Sequence, residues 1–271
     1  MKKLVGVLIA CGISATIMAG PLDTNGDAID DLYFQNSAGQ IFSWQLNGSG
    51  TAMSATFVHA GILADWRLVA RADLNQDGTG DLIFQNSGGQ IFGWLVSNAG
   101  FPFGVISIYR GDGLADWRVG AAADLNNDRI PDLILQSNNG QVIGWIMNGA
   151  GGALFAVTVH GGGLGNWRIR AAADLNDDGI PDLILQNSES GHVVAWLMNG
   201  AAGATSNVTI YGADLIDWRL RAVADLNFDR LPDLVFQNSN GQIFGLLMGD
   251  AGSPIGGVNV WASALADWQV F

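Results

Sequence analysis

Hydrophobic and polar positions along this chain fall into short alternating runs that recur in a fixed order. Trp66-Arg67-Leu68-Val69-Ala70-Arg71-Ala72 puts Leu68, Ala70 and Ala72 on one face, which predicts a β-strand with one buried side. Asp81-Leu82-Ile83-Phe84-Gln85 predicts a second strand, Gln90 to Val96 a third and Val105 to Tyr109 a fourth. The segments between them, Asp73 to Asp81, Asn86 to Gly89 and Ser97 to Gly100, carry the Asp, Asn, Ser and Gly of turns. Gly111 to Asp116 then leads to Trp117, where the order restarts.

The restart is periodic. Acidic nonapeptides begin at Asp23, Asp73, Asp124, Asp174 and Asp225, in steps of 50, 51, 50 and 51 residues. Such a period means one supersecondary unit repeated. Four short antiparallel strands in about 50 residues is the size of a β-propeller blade, so the expected fold is all-β, a five-bladed propeller. Small residues fit that reading. The first strands carry Ala70/Ala72, Ala121/Ala123, Ala171/Ala173 and Ala222/Ala224, as crowding round an axis requires. The third strands carry Ser43, Gly93, Gly144, Ala195 and Gly245 beside Trp or Phe, which suits sheet-on-sheet packing between neighbouring blades.

The ends of the chain bear on closure. No Trp-Arg strand precedes Asp23, whereas Ala266-Asp267-Trp268-Gln269-Val270-Phe271 is such a strand with no loop after it. The C-terminal strand is therefore expected to complete the N-terminal blade, which leaves no open edge in the ring. The competing arrangement, in which Ile13 to Gly20 supplies that inner strand, would leave Trp268 redundant.

Composition sharpens the picture at the N-terminus. Met1-Lys2-Lys3 and the apolar, small-residue stretch to Gly20 read as a secretory signal, so residues 1–20 are set apart from a propeller over 21–271. The segment is too short and glycine-broken for a membrane span. Cys11 is the only cysteine, so no intrachain disulfide can form; Leu8-Ile9-Ala10-Cys11 also resembles a lipobox, which would make Cys11 a lipid anchor. The expected location is secreted, at the cell surface or in the periplasm.

Without its signal the chain would hold 10 Arg against 25 acidic residues. Positions 1, 5 and 9 of the five nonapeptides hold 15 of those 25, so the acidity is concentrated in the loops. That leaves no basic surface for nucleic acid.

Each nonapeptide spaces oxygen side chains at positions 1, 3, 5 and 9, with a backbone carbonyl at 7. A hard cation such as Ca²⁺, which takes six to eight oxygens, suits that alternation. The candidate ligand sets are Asp23, Asn25, Asp27, Ile29 and Asp31; Asp73, Asn75, Asp77, Thr79 and Asp81; Asp124, Asn126, Asp128, Ile130 and Asp132; Asp174, Asn176, Asp178, Ile180 and Asp182; and Asp225, Asn227, Asp229, Leu231 and Asp233. Up to five Ca²⁺ ions are expected. Position 12 is Phe34, Phe84, Leu135, Leu185 or Phe236, where an EF-hand needs Glu. At position 6, Gly78 and Gly179 accept positive φ freely, whereas Ala28, Arg129 and Arg230 would be strained by about 1 kcal/mol or more. Loops two and four should bind tightest.

The D-x-N-x-D-G-x-x-D-L pattern, followed by Gln-Asn-Ser-x-Gly-Gln and W-x-M-N-G, resembles the FG-GAP/VCBS repeats found in integrin α-subunit propellers. The resemblance covers about residues 21–271 and implies calcium in the hairpin between the first two strands of each blade. The chain departs from it in its non-glycine sixth positions and in having five repeats.

Two tryptophan series remain: Trp66, Trp117, Trp167, Trp218 and Trp268, and Trp44, Trp94, Trp145 and Trp196 with Leu246 as the fifth. Packing between blades is the expected role, and stacking on sugars the alternative. His59, Tyr109, His160, Tyr211 and Trp261 end the fourth strands beside glycine-rich loops and are candidate ligand contacts. No nucleophile motif, no His near a partner and no unique carboxylate pair stands out, so no enzyme is expected. The expected function is a calcium-binding recognition module for carbohydrate or an extracellular protein. The alternatives are a structural block of a surface layer or fibre, and a stand-alone relative of domains appended to polysaccharide-degrading enzymes.

Overall fold

Short β-branched and aromatic runs joined by tight turns can satisfy their backbone only by pairing sideways, and here they pair four at a time. The structure is a computed structural model describing residues 23, 29–63, 65–97, 99–200, 203–212, 215–249, 252–265 and 267–271. The proposed signal segment, Cys11, Asn25, Asp27 and Ala28 lie outside them.

Blade I contains β1 (Leu32–Asn36), β2 (Ile41–Leu46) and β3 (Ala52–His59). Blade II contains β4 (Trp66–Ala72), β5 (Asp81–Asn86), β6 (Ile91–Val96) and β7 (Pro102–Tyr109). Blade III follows with β8 (Trp117–Ala123), β9 (Asp132–Ser137), β10 (Gln141–Met147) and β11 (Ala153–Gly161). Blade IV has β12 (Trp167–Ala173), β13 (Asp182–Asn187), β14 (Val193–Met198) and β15 (Ala204–Tyr211). Blade V has β16 (Trp218–Ala224), β17 (Asp233–Asn238), β18 (Ile243–Gly249) and β19 (Ser253–Trp261). The last strand, β20 (Trp268–Val270), joins blade I in the order β20-β1-β2-β3.

The ring thus closes as expected, with Val270 opposite Phe34 and Trp268 opposite Asn36. The five four-stranded antiparallel blades form a five-bladed β-propeller. Inner strands β4, β8, β12, β16 and β20 follow one another around the axis. Among the described residues no helix is long and apolar enough to cross a membrane.

Second strands are buried on both faces because a blade lies on each side. Leu82, Ile83 and Phe84 have no exposed surface, nor do Leu133, Ile134 and Leu135. The apolar clusters lie in the seams between blades. Phe34, Phe42 and Trp44 of blade I, for example, pack with Leu226, Val235 and Ile243 of blade V.

A buried glutamine crosses every seam. Gln136 donates its amide to the Trp167 carbonyl at 2.9 Å and accepts the Ile169 N–H at 3.0 Å. Gln35, Gln85, Gln186 and Gln237 bridge to Trp66/Leu68, Trp117/Val119, Trp218/Leu220 and Trp268/Val270 in the same way.

Two expectations need correcting. The fourth strand of blade II begins at Pro102, three residues before the predicted start, because pairing resumes after a register shift at Leu95/Val96. At the three glycines among the small third-strand residues, the space is filled from within the blade, whereas Ala195 packs in a cluster with Leu234 and Leu246 of the next blade. A Cβ at Gly144 would come within 2.7 Å of the Leu125 side chain, and Gly93 and Gly245 stand likewise against Leu74 and Leu226. The position-2 leucine of a blade's own loop fills that space.

Candidate metal centre

The nonapeptides join the first two strands of a blade, so antiparallel pairing puts them at one end of the ring with the loops between third and fourth strands. The four loops described in full share one fold, in which Asx side chains cap successive backbone amides. In loop two, Asp77 N donates to Asp73 Oδ1 and Asn75 Oδ1 at 3.0 Å each, Gly78 N to Asp73 Oδ2 at 2.8 Å, and Thr79 N to Asp77 Oδ1 at 2.8 Å. The Asn75 amide donates to Asp77 Oδ2 at 2.8 Å. Asn126/Asp128, Asn176/Asp178 and Asn227/Asp229 repeat that last contact at 2.9, 2.9 and 2.7 Å.

Wrapping the chain this tightly needs positive φ at positions 4 and 6. Gln76, Asn127, Asp177 and Phe228 take it at position 4. At position 6, Arg129 (φ 69°) and Arg230 (φ 71°) adopt the same turn as Gly78 and Gly179. The strain foreseen at the two arginines is borne, and the loop shape is kept.

The ninth-position aspartate is wholly buried in each of the five loops. Asp81 accepts Val96 N at 2.8 Å and Leu74 N at 2.9 Å, tying the loop start to the end of the third strand. Asp132, Asp182 and Asp233 make the matching pair of bonds, and Asp31 accepts Leu46 N. Burial pushes the carboxyls of Asp81, Asp132, Asp182 and Asp233 each up to about 6. The negative charges at positions 5 and 1 add to that rise, and the two backbone N–H donors oppose it.

The donor set is oxygen only, which is the chemistry of a hard cation. Among the described residues no three Asp, Glu, His or Cys side chains are gathered closely enough to hold an ion as they stand. Position-1 and position-5 carboxylates are closed onto backbone amides, and the Asn amide lies against Asp. A cation would therefore require that amide to turn its oxygen inward. The donors fit Ca²⁺ in kind.

Loop one carries its own tie. Asp30, at position 8, accepts the Asp225 N–H at 2.9 Å, linking loop one to loop five across the closing seam. Burial raises its carboxyl to about 6. Asp23, Ile29 and Asp31 of this loop are described; Asn25 and Asp27 are not.

The other candidate series sits at the opposite end of the blades. His59 packs on Trp94 at 4.9 Å, Tyr109 on Trp145 at 5.5 Å, His160 on Trp196 at 5.2 Å and Trp261 on Trp44 at 4.9 Å, each pair joining one blade to the next. Tyr211 shares a cluster with Leu246. These rings are half-buried, one to a seam, and they do not converge on one point. The glutamine clamps went unpredicted, although an identical Gln four residues after the last Asp of every nonapeptide was a visible signal.

Comparisons with known proteins agree with the repeat. No curated protein sequence matches the chain. Among solved structures, a protein of unknown function from Bacteroides caccae is similar at 13% identity over 86% of this chain and 73% of that one, with a TM-score of 0.43. The Photorhabdus luminescens Tc holotoxin pore is similar at 15% identity over 94% of this chain and 12% of that one, with a TM-score of 0.45. Pseudomonas aeruginosa periplasmic gluconolactonase is similar at 11% identity over 86% and 80%, with a TM-score of 0.40. Superpositions this loose carry no argument about function. The FG-GAP-like repeat family matches residues 124–185 and 174–236. The matched stretch runs from the acidic loop of blade III to the second strand of blade V, each match opening on an acidic nonapeptide.

Proposed function

We propose that this chain is a secreted, calcium-binding, non-catalytic propeller that presents a recognition surface to carbohydrate or to an extracellular protein. One observation carries the calcium part: four loops with the same oxygen donors adopt the same closed turn on one end of the ring. In each, buried Asp at position 9 faces acid at positions 1 and 5, a charge concentration that a dication would relieve. Secretion is supported by the sequence of residues 1–20, with Cys11 as the anchoring alternative. Recognition rests on the five-fold repetition of one surface, which favours multivalent contact.

The test is calorimetric titration of the chelator-treated protein with Ca²⁺, paired with thermal melts. Saturating Ca²⁺ is expected to raise the melting temperature, since a ligand at about 100 times its Kd adds roughly 2.7 kcal/mol per site. Asp174→Asn together with Asp178→Asn should remove one site from the stoichiometry. A melt indifferent to both Ca²⁺ and chelator overturns the proposal.

A second reading, a block of a surface layer or fibre, is favoured by the outer strands. Phe57, Phe103, Val105 and Phe155 are exposed on β3, β7 and β11, whose outer edges are unpaired within their sheets. Ordered polymers in electron micrographs, together with no response on a glycan array, would select it.

A further inference from the structure

Seven of the ten arginines outside the lysine-bearing N-terminus lie on inner strands, although the chain as a whole is strongly acidic. Arg67, Arg118, Arg168 and Arg219 follow the first tryptophan of β4, β8, β12 and β16. Each donates to the carbonyl of that tryptophan. Two more, Arg170 and Arg221, stand two residues further along β12 and β16, on neighbouring blades and at equivalent positions.

Their backbone setting recurs at the equivalent position of blades II to V. Ile169 pairs with Leu185 and Ala171 with Ile184, so Arg170 is the extra residue of a β-bulge. Leu220 pairs with Phe236 and Ala222 with Val235, so Arg221 occupies the same bulge one blade on. A bulge frees a residue from the ladder and re-aims its side chain. At this position blades II and III carry Val69 and Gly120, and Phe271 follows β20 in blade I, so the charge is confined to one sector.

Among the described residues neither guanidinium has a hydrogen-bonding partner. The Nε atoms of Arg170 and Arg221 are buried without a hydrogen bond, and no carboxylate pairs with either among the described residues. Glu189, Asp217 and Asp267 are the described acids on the loops at the tryptophan end of blades IV and V. Four of the residues preceding the first-strand tryptophan are Asp65, Asp116, Asp217 and Asp267, but blade IV has Asn166 there. Both side chains are half-buried with their Nε atoms sealed from water, and an Arg so placed stays charged and is usually paired, so two side by side with no acid are costly unless something anionic completes them.

We propose that Arg170 and Arg221, flanked by Arg168 and Arg219, form a binding site for an oxyanion group (sulfate, phosphate or carboxylate) at the inner wall of blades IV and V. Guanidinium forks match such groups bidentately. The site lies midway along β12 and β16, with Arg168 and Arg219 on its side away from the acidic loops, and does not depend on those loops holding calcium. Electrostatics agree: burial, then Arg221, Arg219 and Arg168, bring Arg170 down to about 10.

The test is titration of the full chain with sodium sulfate, sodium phosphate and sodium glucuronate at constant ionic strength against chloride, followed by calorimetry and melting temperature. Chelator is present in one series and Ca²⁺ in the other. At least one anion should bind saturably and raise the melt in both series. A response to sulfate or phosphate alone assigns a tetrahedral group, and one to glucuronate alone a carboxylate. Arg170→Met/Arg221→Met should weaken binding about tenfold or more. Without added anion the same variant should melt no lower than wild type, because it removes unpaired buried charge. Arg170→Lys should retain part of the binding. The proposal is overturned if wild type binds none of the three anions saturably, if the double variant binds as tightly as wild type, or if that variant is destabilised when no anion is present.

Discussion

Each seam glutamine spends both ends of one amide on a single neighbouring strand. In Gln136 the donor end takes Trp167 O and the acceptor end Ile169 N, two backbone groups that bracket the inner strand just before its bulge. The Ile169 N–H is buried and the Trp167 carbonyl partly so, and a side chain without an amide would strand them. Each stranded group costs about 1–3 kcal/mol, well above the net value of an ordinary hydrogen bond. Gln136→Leu should therefore lower stability by about 2–5 kcal/mol in urea unfolding, with volume roughly conserved. Gln136→Glu keeps the acceptor, loses the donor and adds a buried charge, so it should fare no better. Gln90 offers a control: its amide bonds Asn86 and the Arg110 carbonyl within one blade near the surface, and Gln90→Leu should cost less than half as much. Equal losses at the two positions would remove the seam from the argument.

The unit of construction at the next scale is loop plus third strand. Leu125, at position 2 of loop three, is buried against the space that Gly144 leaves open. The Asp132 carboxylate fixes the same loop through Leu125 N and Met147 N. Gly144→Val should overpack this contact at about 1–3 kcal/mol, and Leu125→Ala should open a cavity. Combined, the two changes should cost less than their sum, and simple additivity would mean that the residues do not share the space.

Much of this element was legible, because alternation, turn residues and period all belong to one repeat. The partner of Gly144 was misassigned because glycine reports room without naming what fills it. The bulges were hidden for a related reason. Trp167-Arg168-Ile169-Arg170-Ala171 reads as regular alternation, and the Gln136 amide that engages Trp167 and Ile169 comes from the preceding blade. Site residues were legible as donor types. Their orientation, with the Asn75 amide against Asp77, was not, since amide rotation leaves no trace in spacing.

Across the whole molecule, charge is sorted along the ring axis. Acidic nonapeptides gather at one end, and the inner-strand arginines begin from the other. The strand at the join is short: β20 contributes Trp268–Val270, against seven residues in β4. It is supplemented by Phe271 N–H to Tyr33 O at 2.9 Å and by the Gln237 clamp. Deleting residues 268–271 should leave β1 as a bare edge, broaden the unfolding transition and promote association, as seen by light scattering. A sharp, monomeric melt in that variant would show the ring indifferent to its closing strand.

That join also sets an order of events. Blades II to V are each assembled from one continuous stretch, so they can form as the polypeptide emerges. Blade I must wait, because Phe34 meets Val270 only across 236 intervening steps of chain (270 minus 34). Bringing such distant segments together is entropically slow, and until it happens the strand bearing Phe34 remains open to a wrong partner. Refolding should accordingly end in one late step, and a free peptide of the Trp268–Phe271 sequence would compete for it.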